Sequence, residues 1–122
     1  MSYLAKKYNK GPIPIIEIAE DKKIPVKFLE NILLELKNKK LLKSKKGKGG
    51  GYFLDGDPKE ISVANIIRAI DGPIALLPCV SINFYAKCED CNEKKCKIKK
   101  IFTESRNATL KILENKSLMD LI

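Results

Sequence analysis

The sequence predicts a mainly α-helical chain interrupted by one small β-hairpin. Three observations carry this. Apolar residues recur at helical spacing over 26–40 and again over 98–114. Between them, four glycines fall in the five positions Gly47-Lys48-Gly49-Gly50-Gly51, flanked by short stretches at 41–46 and 52–54 that suit strands.

Each element has its own justification. Tyr3, Leu4, Ala5 and Tyr8 share a stripe that fits the end of a helix, and Gly11-Pro12 breaks it. Pro14 suits the first position of a new helix, where its missing N–H costs nothing. Ile15, Ile18 and Ala19 carry that helix to about Lys22-Lys23. Pro25 opens the next in the same way. Val26, Leu29, Ile32, Leu33 and Leu36 form its apolar face, with Phe28 at the edge and Leu34 off the stripe. Lysines 37, 39 and 40 crowd its C-terminus, where they complement the helix dipole. Two helices joined by a tight turn, the second longer and amphipathic, make a helix-turn-helix. Leu41 to Lys46 and Tyr52 to Leu54 then pair across the glycine loop as a hairpin with a basic tip, the shape of a wing. Ser62 is placed to cap a helix reaching Ala69 or Ile70, with Val63, Ile66, Ile67 and Ile70 on one stripe, and Asp71-Gly72-Pro73 ends it. An irregular apolar segment, Ile74 to Ile82, leads into a cysteine-bearing loop. The last helix runs from Ile98 to Glu114, with Ile98, Ile101, Phe102, Ser105, Ala108 or Thr109, and Ile112 on one face, widened by Leu110 and Leu113.

Composition narrows the function. The chain has 122 residues, 44% of them hydrophobic, enough for one packed domain with an appended segment. No run of apolar residues is long enough to cross a membrane, and Met1 to Lys10 has no signal-peptide core, so a cytoplasmic location without membrane attachment is expected. There is no histidine, which excludes Ser-His-Asp and Cys-His relays, and no other acid–base constellation stands out; the chain is not expected to be an enzyme. Net charge is +9, and all but Arg68 and Arg106 of the 24 basic residues are lysines. Such a balance suits a polyanion.

The lysines cluster. Lys37 to Lys48 holds seven lysines and no acid, spanning the end of the second helix-turn-helix helix and one strand of the hairpin. Folding places these charges beside one duplex, where each neutralised phosphate contributes through counterion release. Sequence readout needs the exposed N-terminal face of the helix: Lys27 can reach guanine, Glu30 can accept from cytosine, and Asn31 can pair with adenine. The candidate DNA-contacting set is Lys27, Glu30, Asn31, Lys43, Lys45, Lys46 and Lys48, with Gly49, Gly50, Gly51 and Tyr52 of the wing. The glycine loop matches neither phosphate-binding pattern, G-x-x-x-x-G-K-[ST] or G-x-G-x-x-G, and does not lead from a strand into a helix.

All four cysteines, Cys79, Cys88, Cys91 and Cys96, fall in one 18-residue window with the pattern C-x8-C-x2-C-x4-C. A zinc ribbon shows two C-x2-C pairs; this chain has one, and the looser spacing is compatible with an iron–sulfur cluster in an irregular loop. Lys87, Lys94, Lys95, Lys97, Lys99 and Lys100 surround it and favour thiolates. Four free cysteines or a reversible disulfide are the plainer alternatives.

The stretch from Ile13 to Ile74 closely resembles the Rrf-two family of transcription regulators. The matching residues are Ile15 to Glu20, Ile24 to Leu33, the wing signature Gly47-Lys48-Gly49-Gly50-Gly51-Tyr52-Phe53-Leu54, and Ile61-Ser62-Val63 through Ile67 to Pro73. The cysteine loop and Ser117 to Leu121 also fit. The resemblance implies a winged helix-turn-helix domain over 1–73, a cluster-binding cysteine loop over 74–97, and a long C-terminal dimerisation helix and tail over 98–122. It implies a homodimer on double-stranded DNA with a palindromic operator, and a fuller first helix than the one ending at Tyr8. In cluster-bearing members three cysteines of this loop hold a 2Fe–2S or 4Fe–4S cluster. Cys79 and Cys96 match the outer ligands; Cys88 and Cys91 compete for the middle place, or all four bind. Zinc is the alternative metal. The resulting expectation is a regulator sensing iron–sulfur status, redox state or nitric oxide. Against it stands a small iron–sulfur or zinc protein whose basic face docks an acidic protein partner.

Overall fold

The computed structural model describes residues 1–122. Five helices and one two-stranded antiparallel sheet follow in the order α1 (Ser2–Lys6), α2 (Ile15–Lys22), α3 (Val26–Asn38), β1 (Leu42–Lys45), β2 (Gly51–Leu54), α4 (Val63–Ile70) and α5 (Lys97–Glu114). Single 3-10 turns occupy Pro78–Val80 and Leu118–Leu121. No helix is long and apolar enough to cross a membrane.

Both prolines sit one residue earlier than expected. Pro14 and Pro25 are N-caps with extended ψ angles of 142° and 131°, and their carbonyls accept the first intrahelical bonds, from Ile18 N–H at 3.3 Å and Leu29 N–H at 3.0 Å. A cap residue is extended while its C=O already belongs to the helix, and proline's fixed φ fits that role as well as the first turn.

Helices α2 and α3 end alike. Lys23 (φ 52°) and Lys40 (φ 58°) turn left-handed, and the next N–H reaches back five residues, Ile24 to Ala19 O and Leu41 to Leu36 O, each at 3.0 Å. These are Schellman-type closures with lysine where glycine is usual. The first fixes the turn of the helix-turn-helix; the second aims the chain from α3 into β1.

In the hairpin Leu42 faces Leu54 and Lys45 faces Gly51. A third segment joins it: Ile13 bridges Tyr52 on the free edge of β2. The core lies beneath, built from Leu4, Ala5, Ile13, Ile18, Ala19, Leu29, Leu33, Leu36, Leu42, Leu54, Ile61, Ala69 and Leu118. On α3 the buried positions are Leu29, Leu33 and Leu36; Ile32 is half-buried, while Val26 and Phe28 stay exposed.

Two helices depart from the expected faces. Ser62 caps α4 as expected, accepting from Asn65 N–H at 3.1 Å. The buried positions of α4, however, are Ala64 and Ala69, and Val63, Ile66 and Ile67 are only half-buried. Helix α4 is packed between α3 and α5, so small residues permit close approach on both sides and the branched chains fill the margins. Helix α5 carries two apolar stripes, not one widened face. Leu110 is buried and Phe102 and Leu113 half-buried against the rest of the molecule, whereas Ile98, Ile101 and Ile112 are each close to 60% exposed.

Both arginines join α5 to what precedes it. Arg68 of α4 pairs with Glu114 at 2.7 Å, and Arg106 donates to the Val80 carbonyl at 2.5 Å. After α5 the chain returns: Val63 N–H donates to Lys116 O and Leu118 N–H to Ile61 O, both at 2.8 Å, which seats the fully buried Leu118 in the core under α1.

Candidate nucleic-acid interface and cysteine segment

Helix α3 buries one face and leaves the other bare. Opposite the leucines, Lys27, Asn31, Leu34 and Asn38 follow at spacings of four, three and four, flanked by Phe28, Glu30 and Glu35; all are exposed. The three expected base-reading residues, Lys27, Glu30 and Asn31, therefore lie together on the open N-terminal half of the helix. None has an ion-pair or side-chain hydrogen-bond partner within the chain.

The wing stands beside α3 and is tied to it: Lys37 Nζ donates to Ser44 Oγ at 2.7 Å. Lys45, Lys46 and Lys48 are exposed and unpaired. Lys43 is exposed too, but its ammonium pairs with Asp55 at 2.6 Å. The glycines serve the backbone. Gly47 and Gly49 take φ of 88° and 72°, which only glycine adopts freely. Gly50 turns back so closely that a side-chain carbon there would lie 2.3 Å from Lys45 O. At Gly51 (φ 150°) it would lie 2.2 Å from Ile13 O. Tyr52 is half-buried and packs against the core. Of the wing residues expected at the duplex, the lysines are thus presented outward, while Gly50, Gly51 and Tyr52 have structural work of their own.

The cysteine segment closes on the first turn of α5. Cys96 is that helix's N-cap, and its sulfur accepts from Lys99 N–H at 3.4 Å. That backbone bond holds the Cys96 thiol below its ordinary pKa. The interaction with Cys96 pushes the Cys91 thiol up. Cys79 lies in the 3-10 turn at Pro78–Val80, half-buried, and Cys88 is exposed. A side-chain network latches the loop: Tyr85 Oη donates to Glu93 at 2.5 Å and Lys99 Nζ donates to the other carboxylate oxygen at 2.7 Å. The Lys99 contact draws the Glu93 carboxyl below its usual range, and Glu93 in turn raises Tyr85 and Lys99. No three cysteine or carboxylate side chains converge on one point suited to a metal. The donor chemistry fits a soft metal or cluster, with four thiols, a low-pKa Cys96 and surrounding ammonium groups. With no three of these side chains converged, ligation by the loop requires its cysteines to draw together.

The outer stripe of α5 presents Ile98, Ile101, Ser105, Ala108 and Ile112 at alternating spacings of three and four, all exposed. Alternating spacings of three and four are those by which helices pack along a common seam.

Comparison with known proteins agrees with this geometry. The Rrf2 family, described as an iron-dependent transcriptional regulator, matches residues 1–122. A putative HTH-type transcriptional regulator, rrf2-like, from Rhodobacter capsulatus is 38% identical over 119 residues, 97% of this chain and 79% of that protein. Among solved structures, CymR, the global cysteine regulator of B. subtilis, superposes with a TM-score of 0.76 at 31% identity, covering 98% of this chain and 84% of that one. IscR of T. potens superposes with a TM-score of 0.71 at 25% identity, covering 98% and 75%.

Proposed function

The chain belongs to the Rrf2 family of DNA-binding transcriptional regulators, not enzymes, and from that premise we propose that it works as a homodimer on a palindromic operator under the control of its cysteine segment. One observation carries the reading: α3 leaves one whole face open, and the wing packed against that helix and tied to it through Lys37 and Ser44 carries the exposed, unpaired Lys45, Lys46 and Lys48. A duplex laid there meets base-reading groups on the helix and phosphate-neutralising groups on the wing. Lys27, Glu30 and Asn31 specify; the lysines position.

The α5 seam supplies the second copy. Joining two chains along Ile98, Ile101 and Ile112 buries the largest exposed apolar residues of the helix, and a palindromic site asks that the two α3 helices then lie about one duplex turn, roughly 34 Å, apart. The cysteine segment is wired to this seam. Cys79 is followed by Val80, whose carbonyl is held by Arg106 of α5, and Cys96 caps the same helix. In this reading Cys79, Cys88, Cys91 and Cys96 hold an iron–sulfur cluster, 2Fe–2S or 4Fe–4S, or else zinc, with Cys79 and Cys96 as the essential ligands. A bound group supplies a charge- and redox-sensitive clamp between the two ends of the loop. The chain's own part is mechanical: drawing Cys79 toward Cys96 pulls on Val80 and Arg106 and so on α5. A signal controls DNA binding only through such a difference between two arrangements.

A metal-free thiol response is the second reading, favoured by four free cysteines of which none is fully buried and no three converge as metal ligands. Anaerobic purification with iron, sulfide and zinc analysis separates the two, read beside duplex affinity. Bound iron and sulfide that disappear in Cys79→Ser and Cys96→Ser, together with an altered operator affinity, support the cluster reading. A metal-free protein whose affinity responds to oxidant only when Cys91 and Cys96 are both present supports the thiol reading. Equal affinity in every state removes sensing and leaves DNA binding.

A further inference from the structure

Phe28 is the exception on α3. It is 62% exposed in the first turn, beside Lys27 and one helical ridge from Asn31, and it takes no part in the core. Leaving an aromatic ring in water forgoes most of the free energy its burial would give. Its surroundings state what does not cover it. Lys27 adjoins Phe28, and the wing packed against α3 adds the exposed Lys45, Lys46 and Lys48, so a second copy of this positively charged region is a poor cover for the ring. The complementary surface is a polyanion with apolar groups on its readable edge. The major groove of DNA has one such group, the 5-methyl of thymine.

We propose that Phe28 reads a thymine methyl group in the base pair, or its neighbour, whose adenine is read by Asn31. Residues three apart on a helix share a ridge and reach adjacent positions in the groove. An A·T pair offers both partners at once: adenine N6 and N7 for the Asn31 amide and the thymine methyl for the Phe28 ring. Leu34 projects from the same open face two turns on and serves as a control of equal apolarity further from the helix N-terminus. The inference rests on α3 being the recognition helix.

Deoxyuridine tests it, because it differs from thymine in DNA by that methyl alone. The full-length chain selects its preferred duplex from a randomised library, and each fixed thymine of the half-site is then replaced in turn by deoxyuridine. The expected result is one position at which the replacement weakens wild-type binding about fourfold, the equivalent of one lost methyl contact. At that position Phe28→Ala binds the two duplexes equally, Phe28→Leu retains part of the ratio, and Leu34→Ala retains all of it. The ring is exposed, so these variants should fold, and circular dichroism verifies it. Unchanged wild-type affinity at every deoxyuridine, or an unchanged ratio in Phe28→Ala, overturns the role of Phe28 while leaving α3 as the recognition helix. A change in oligomeric state in Phe28→Ala without DNA overturns it in favour of a protein contact. Absence of any enriched sequence removes the recognition-helix reading itself.

Discussion

Ile13 and Tyr52 exchange two backbone hydrogen bonds, Ile13 N–H to Tyr52 O at 2.9 Å and Tyr52 N–H to Ile13 O at 2.8 Å, so the wing is anchored on both edges of its second strand. Gly51, next to this bridge, admits no side chain. Gly51→Ala should destabilise the domain by about 2–4 kcal/mol, because the new carbon meets Ile13 O and the backbone is left-handed. Gly47→Ala meets open space and should cost only about 1–2 kcal/mol from its positive φ. Urea denaturation of the two variants checks the order; equal losses would show that the bridge does not constrain the wing.

The wing lysines should differ among themselves. Replacing Lys45, Lys46 and Lys48 together by alanine should weaken binding to every duplex and flatten the salt dependence by about one unit per lost phosphate contact. Lys43→Ala should change the slope less, since Asp55 already pairs with that ammonium. A slope insensitive to all four would mean that these charges only solvate the hairpin.

The tail's contribution to stability should depend on acid. Ser117 N–H donates to Asp120 Oδ2 at 2.7 Å, which holds the Asp120 carboxyl below its ordinary value. A depressed folded pKa contributes stability that is present above the unfolded value and is lost as pH falls through the folded one. The difference in Tm between wild type and Asp120→Ala should therefore be full at pH 6 and shrink on acidification below about pH 4. A difference that stays constant with pH would place the stabilisation elsewhere.

The outer stripe of α5 should govern assembly. Ile101→Asp puts a charge on the exposed seam without touching the buried Leu110, so the variant should fold, sediment as a monomer, and bind operator DNA at least tenfold more weakly. A variant that still sediments as a dimer would rule out this seam.

The sequence made the helix-turn-helix and wing legible because their signals are local. Leucine periodicity marks α3, Ser62 marks the start of α4, and glycines mark the one tight turn. Three features were not legible, each for want of a local cause. The two-sided packing of α4 depends on neighbours remote in sequence, so Ala64 and Ala69 were outranked by larger isoleucines. The two stripes of α5 overlap in sequence, and only contact with the rest of the molecule separates Leu110 from Ile112. The burial of Leu118 rests on strand-like bonds between Ile61-Ser62-Val63 and 116–118, a pairing too short to leave a pattern. At the site, exposure of Lys27, Glu30 and Asn31 followed from the helix period, but the Lys43–Asp55 pair and the capping role of Cys96 required the folded chain. Phe28 was visible at the edge of the apolar face; its solvent exposure was not.

The central claim is that α3 reads base sequence in a two-fold arrangement, and selection from a randomised duplex library tests it most directly. Wild-type protein should enrich two inverted half-sites centred about 10 base pairs, one helical turn, apart. Glu30→Ala and Asn31→Ala should each relax the preference at one position per half-site, by about 1–3 kcal/mol. Enriched duplexes without inverted symmetry, or the same consensus recovered by both variants, would contradict the account.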